Sequence, residues 1–131
     1  MTKNIAPIRM DPDPLAPYAI APGWRVGDLI FLSGQAAINA QGQLVGIGDF
    51  DAQLIQVMEN IRSLLQAADS DLDRIVKVTI YMRDMGNFPK IVEARKKWFT
   101  PPYPADTIVE VSALALPELL LEIDVIAVAG A

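Results

Sequence analysis

Two acids stand two residues apart near the end of the chain, Glu122 and Asp124, inside an otherwise apolar run over residues 119–128. Period-two alternation reads this run as a strand, with Leu119, Leu121, Ile123, Val125 and Ala127 on one face. Glu122 and Asp124 then share the other face with Leu120, Ile126 and Val128. A carboxyl on a partly apolar face loses hydration, its pKa rises, and it can move a proton near neutrality. A solvated edge or a salt bridge between subunits accounts for the same spacing, so the acids alone do not define a site.

Other chemistry is narrowed by what the chain lacks. It has no histidine and no cysteine. That excludes a Ser-His-Asp triad within one chain, thiolate chemistry and disulfides, and it leaves carboxylates as the ordinary metal ligands. The formal net charge of −5 argues against nonspecific nucleic-acid binding. Gly42, Gly46 and Gly48 are followed by no Lys-Ser/Thr, so they are not a phosphate loop. Arg95-Lys96-Lys97 is the basic cluster and reads as a solvated helix face, with Arg95 lying along the apolar stripe. Trp24 and Arg25 fall in the loop before the first buried strand, as packing residues or as part of a pocket wall.

These residues need elements to hold them. The 131 residues fit one domain. Pro7, Pro12, Pro14, Pro17 and Pro22 break the first stretch into extended edge pieces, with a short strand expected near residues 18–21. Residues 28–33 read as a buried strand ending at Gly34, and residues 39–48 as a turn region. Residues 51–68 carry Leu54, Val57, Met58, Ile61, Leu64 and Leu65 at helical spacing, with Asp49 or Asp51 as cap. Residues 74–82 alternate, with Val76, Val78, Ile80 and Met82 expected on one face. A second helix follows Gly86, capped by Asn87 with Pro89 in its first turn. Two strands, at 107–115 and 119–128, close the chain. The order predicts an α+β domain, a sheet with both helices packed on one face. Its other face would remain apolar, and the mean hydropathy of +0.28 agrees with self-association. The chain shows no run of about 18 apolar residues and no apolar segment after Met1-Thr2-Lys3-Asn4. It therefore reads as cytoplasmic, without membrane span or signal peptide.

Several short words fall in order along residues 16–128: Pro17-Tyr18, Ser33-Gly34-Gln35, Ala52-Gln53, Glu59-Asn60-Ile61, Ile75-Val76-Lys77-Val78-Thr79, Asp84-Met85, Pro104-Ala105, Leu116-Pro117 and Glu122-Ile123. In this order and spacing the chain resembles the Rid proteins (reactive intermediate deaminases), also called the YjgF family. The resemblance implies a chorismate-mutase-like mixed sheet and a homotrimer with a central barrel, binding a small molecule in three inter-subunit clefts. It also implies hydrolysis of reactive enamines and imines to a ketone and ammonia, with no cofactor and no metal. An imine is already electrophilic, so a positioned water and a proton route suffice. The family's water-activating glutamate maps onto Glu122. Tyr18, Ser33 and Gly34 map onto one side of the cleft, and the backbone near Ile108 onto the other.

Two positions and the length of one segment depart from the family pattern. Where the deaminating branch has an arginine that grips a carboxylate, this chain has Asp106, which repels the same group. Gly86 stands where active relatives often carry asparagine, and the segment between Tyr18 and Ser33 is about two residues longer than the common pattern. Arg25 in that segment is a candidate relocated cation; alternatively Asp106 meets a neutral or cationic ligand. Two functions follow: a Rid-type hydrolase of altered substrate class, or a trimeric small-molecule-binding protein without turnover. The charge and the lack of histidine make RNA cleavage, described for some relatives, a poor third.

Overall fold

The computed structural model describes residues 4–130. Six strands form one sheet: β1 (Ile5–Ile8), β2 (Gly23–Val26), β3 (Leu29–Leu32), β4 (Ile75–Met82), β5 (Ala105–Glu110) and β6 (Leu121–Val128). Their order across the sheet is β1-β2-β3-β6-β4-β5. Helix α1 (Phe50–Ala67) links β3 to β4, and α2 (Phe88–Trp98) links β4 to β5. The β4–β5 pair is parallel, as a helical crossover permits, and all other pairs are antiparallel.

α1 forms because its apolar residues recur on one stripe and Asp49 accepts a hydrogen bond from the Ala52 amide at 3.0 Å. The stripe (Leu54, Val57, Met58, Ile61, Leu64, Leu65) is buried with Val78, Ile80, Met82, Leu121, Ile123 and Val125 of the sheet. Each such side chain contributes roughly 1.5–3 kcal/mol on leaving water. α2 places Ile91 in the same core, so both helices lie on one face. β1 tolerates Pro7 because it is an edge strand.

The structure corrects several boundaries and facings. Residues 18–21 are not a strand: Ala16–Tyr18 is a 3-10 turn, closed by the Ala19 amide on the Ala16 carbonyl at 3.1 Å. Trp24 and Arg25 lie in β2, not in a loop. The strand expected at 107–115 runs instead over Ala105–Glu110. A bulge between Ile75 and Lys77 shifts the β4–β6 register. It turns Ile75 inward and leaves Val76 exposed, because an extra residue in one strand reverses the alternation that precedes it. Asn87 makes no side-chain cap; Asp84 instead accepts from the Gly86 amide at 2.8 Å.

The sheet face opposite the helices divides in two. On one half Trp24, Val26, Leu29 and Phe31 are exposed and pair across strands, Trp24 with Phe31 and Val26 with Leu29. On the other half lie Lys77, Thr79, Tyr81, Thr107, Glu122 and Asp124, by their register. Among the described residues no helix is long and apolar enough to cross a membrane.

Candidate functional site

β6 sets Glu122 opposite Tyr81 and Asp124 opposite Thr79, both acids on the face away from the helices. Past β3 the chain turns alongside β6: the Gln35 amide donates to the Ile123 carbonyl at 2.8 Å, and the Ile123 amide returns the bond at 3.0 Å. This lays Gly34 directly against the Glu122 side chain. A Cβ on Gly34 would overlap Glu122 Oε2 and come within 2.8 Å of Cδ. Only glycine leaves room for the carboxyl there.

Two polar residues of α1 hold the loops around this contact. Gln53 is fully buried; its Nε2 donates to the carbonyls of Gly46 (3.1 Å) and Glu118 (2.9 Å), and its Oε1 accepts from the Leu120 amide at 2.9 Å. Asn60 Nδ2 donates to the carbonyls of Ala36 (3.0 Å) and Ile38 (2.9 Å). One helix thus fixes both the segment leading into β6 and the segment leaving Gly34-Gln35. Buried amides without partners are costly, so these loops are held firmly.

Between the segments lies a cavity of about 470 Å³. Its walls include Met10, Leu15, Ile20, Leu116 and Leu119, with Tyr18, Ser33, Gly34, Gln35 and Glu122 among the remaining lining residues. Tyr18 stands at the rim, 73 % exposed. Ser33 Oγ donates to the Ala21 carbonyl at 2.6 Å. Burial, and secondarily the charge of Asp124, raise the Glu122 pKa from its ordinary value. Tyr81 donates its hydroxyl proton to Asp124 Oδ2 at 3.0 Å, and that bond, with burial and the two acids, raises the tyrosine's pKa. A half-buried carboxyl of this kind can take a proton from a water molecule and pass one to a nitrogen.

Four residues singled out from the sequence, Tyr18, Ser33, Gly34 and Glu122, therefore meet in one cavity. The other candidates lie elsewhere in the chain. Asp106 is in β5, and both its oxygens are held by Arg95, from Nε at 3.1 Å and from Nη2 at 2.9 Å. Arg95 lies over the Phe88 ring of the apolar stripe, 5.6 Å from its centroid, while Lys96 and Lys97 are exposed; the sequence did not foresee that β5 brings the Asp106 carboxylate beside the last turn of α2. Arg25 Nε donates to the Gly27 carbonyl at 2.9 Å, and its guanidinium lies 3.7 Å from Asp28. It is not among the residues lining the Glu122 cavity. Ile108 packs against the core from the edge strand β5, and Gly86 lies in the turn before α2. Sequence reasoning missed the Tyr81–Asp124 bond and the apolar walls at Met10, Leu15 and Leu119, which come from segments far apart in the chain. Among the described residues no group of acids is placed to hold a metal ion.

Comparison with known proteins bears on the family and the fold. A family model described as Endoribonuclease L-PSP matches residues 8–129. A RutC family protein of Pyrococcus horikoshii is 38 % identical over 116 residues, 88 % of this chain and 90 % of its own. A 2-iminobutanoate/2-iminopropanoate deaminase of Dermatophagoides farinae is 30 % identical over 112 residues, 86 % of each chain. The crystal structure of a Rid family protein of unknown function from Yersinia pestis superposes with a TM-score of 0.87 at 32 % identity, covering 95 % of this chain and 99 % of its own. The chain belongs to the Rid/YjgF family.

Proposed function

We propose that this protein hydrolyses reactive imines or enamines, releasing a carbonyl compound and ammonia. The observation that carries the reading is the Glu122 carboxyl, half-buried against Gly34 in the wall of an otherwise largely apolar cavity. In the reaction a water molecule adds to the C=N carbon. Glu122 takes the water's proton as the C–O bond forms and passes it to the nitrogen, then takes the proton of the new hydroxyl and delivers it to the nitrogen as the C=O forms and the C–N bond breaks. Water and imine thus become carbonyl and ammonia, with no electrons gained or lost. The raised pKa suits both halves of this cycle, because the ideal acid–base group titrates near the working pH. That a relative bears the name of an imine deaminase supports the reading.

The reading also takes the protein to act in the cytoplasm as a homotrimer, with neighbouring copies covering the apolar half of the sheet and completing each cleft. Light scattering at three chain masses would support the trimer, and a monomer would remove the inter-subunit cleft. The competing reading is a small-molecule-binding protein without turnover. What favours it is that Glu122 is the only carboxyl among the described residues that line the cavity. The two separate by the decay of an imine generated in place by an oxidase. Faster ammonia release than in buffer supports the hydrolase, and a ligand that raises Tm without being consumed supports the binder.

A further inference from the structure

We propose that the imine or enamine held beside Glu122 carries a long apolar body, which runs past Tyr18 into a second hollow of the same chain. The inference rests on the hydrolase reading above and names its substrate class.

The Glu122 cavity does not end at Tyr18. A second hollow of about 590 Å³ adjoins it, and Pro14, Leu15, Tyr18, Ile38 and Leu116 line both. Beyond this shared wall the second hollow is bounded by Pro12 and Pro17 on one side and by Ala40 and Leu44 on the other. Asp13 also lines it, and its carboxylate accepts from the Leu15 amide at 3.0 Å. On the shared wall Tyr18 and Leu116 are both exposed. Apolar groups left open along a path that starts at a half-buried carboxyl are what the hydrocarbon body of a ligand would cover.

Both sides of the second hollow are preformed. Leu44 bridges Ile38 in antiparallel fashion, and Asn39 Oδ1 accepts from the Gln41 and Gln43 amides, each at 3.0 Å. Asn60 of α1 holds the Ile38 carbonyl. Opposite, the Tyr18 amide donates to the Leu15 carbonyl at 3.0 Å, and the prolines fix φ around that turn. A tail entering here orders little protein, so most of its burial appears as affinity.

Neighbouring copies bring their own groups, charges among them, to the cleft. Charge in the cleft, from this chain or a neighbour, acts on the head of a ligand beside Glu122. The tail rests on walls that one chain builds from the segment before β2 and the turn after β3, apart from the apolar half of the sheet. The test therefore keeps the head constant and varies only the tail, so that a neighbour's charge acts equally on every member of a series.

An amino-acid oxidase makes the 2-imino acids of 2-aminobutanoate, 2-aminohexanoate and 2-aminooctanoate in place. A flavin-dependent amine oxidase makes the uncharged imines of butylamine, hexylamine and octylamine. Within each head that is turned over, kcat/KM for ammonia release is expected to rise about two- to fourfold per methylene, at least about tenfold from four carbons to eight. A flat or falling series overturns the inference and leaves the hydrolase reading standing; it is also the result if a neighbouring copy fills the second hollow. Ala40 is exposed and lines the second hollow but not the Glu122 cavity. Ala40→Trp, checked for fold by a thermal melt, is expected to cut the eight-to-four-carbon ratio at least fivefold, and an unchanged ratio overturns the placement of the tail. If no imine is accelerated, the hydrolase reading fails, and calorimetric titration of butanamide and octanamide decides the second hollow. Octanamide binding at least tenfold tighter, with the gap lost in Ala40→Trp, supports it as the seat of the tail; equal affinities overturn it.

Discussion

Gly34→Ala tests how closely the site depends on a single missing atom. The added Cβ would overlap Glu122 Oε2 and lie 2.8 Å from Cδ and 3.1 Å from Cγ. Every close neighbour belongs to one flexible side chain, so Glu122 can yield while the backbone stays. Pushing it off its rotamer costs about 1 kcal/mol. For a domain of this size that is roughly 4 °C in Tm. The chemical effect is expected to be much larger, because displacing a reacting group by about 1 Å costs on the order of 100-fold in rate. The assay pairs kcat/KM for imine hydrolysis with a thermal melt. The expected result is a drop of about 100-fold in kcat/KM with a folded protein. A folded variant within threefold of wild type would refute the idea that the Gly34 contact places the catalytic carboxyl.

Three further outcomes follow from the same geometry. The folded-state pKa of Glu122 is raised, so ionisation costs the folded state more than the unfolded one. That cost is absent below the unfolded carboxylate value of about 4.3 and grows as pH rises through the raised value. Glu122→Gln should therefore match wild type in Tm near pH 4 and equal or exceed it at pH 8; a Gln variant that loses relative stability as pH rises contradicts this. Asp124→Asn removes the charge that helps to raise Glu122, so the acid limb of the pH–kcat/KM profile should move to lower pH; an unmoved or raised limb counts against it. The Arg95–Asp106 pair is bidentate and only 26 % and 19 % exposed. A double-mutant cycle with Arg95→Ala and Asp106→Ala should give a coupling of about 1–2 kcal/mol, above the ~0.2–1 kcal/mol of fully exposed pairs. Coupling below about 0.3 kcal/mol, the additivity error, would make the pair incidental.

Periodicity in the chain made most of the scaffold legible. The stripe of α1 and the alternation of residues 119–128 survive in the structure because each face has one environment, core or not. Ile75 and Val76 face opposite to their period-two assignment, because a bulge leaves no mark in a run of Ile, Val and Lys. The first 26 residues were the least legible: prolines signal irregularity, but they do not say which short segments find a partner, and β1 and β2 exist only through their pairing. Of the site, Glu122, Gly34, Ser33 and Tyr18 could be named from family words, and the structure brings them into one cavity. The fate of Asp106 could not, because Arg95 reaches it across the connector from α2 to β5. The sign of a single charge at Asp106 said repulsion; with its partner in place the charge is balanced. Gln53 was visible as part of a family word, but its role in clamping the segment before β6 needed the packing of α1 on the sheet.

The central claim is that the Glu122 carboxyl carries the proton transfers of imine hydrolysis, and the most direct measurement is kcat/KM for an oxidase-generated imine in wild type and Glu122→Gln. Circular dichroism and light scattering would show that the variant keeps its fold and assembly. General acid–base catalysis is worth about 10²–10⁴-fold, so a loss within that range is predicted. A folded Glu122→Gln protein that retains activity within threefold of wild type would contradict the claim.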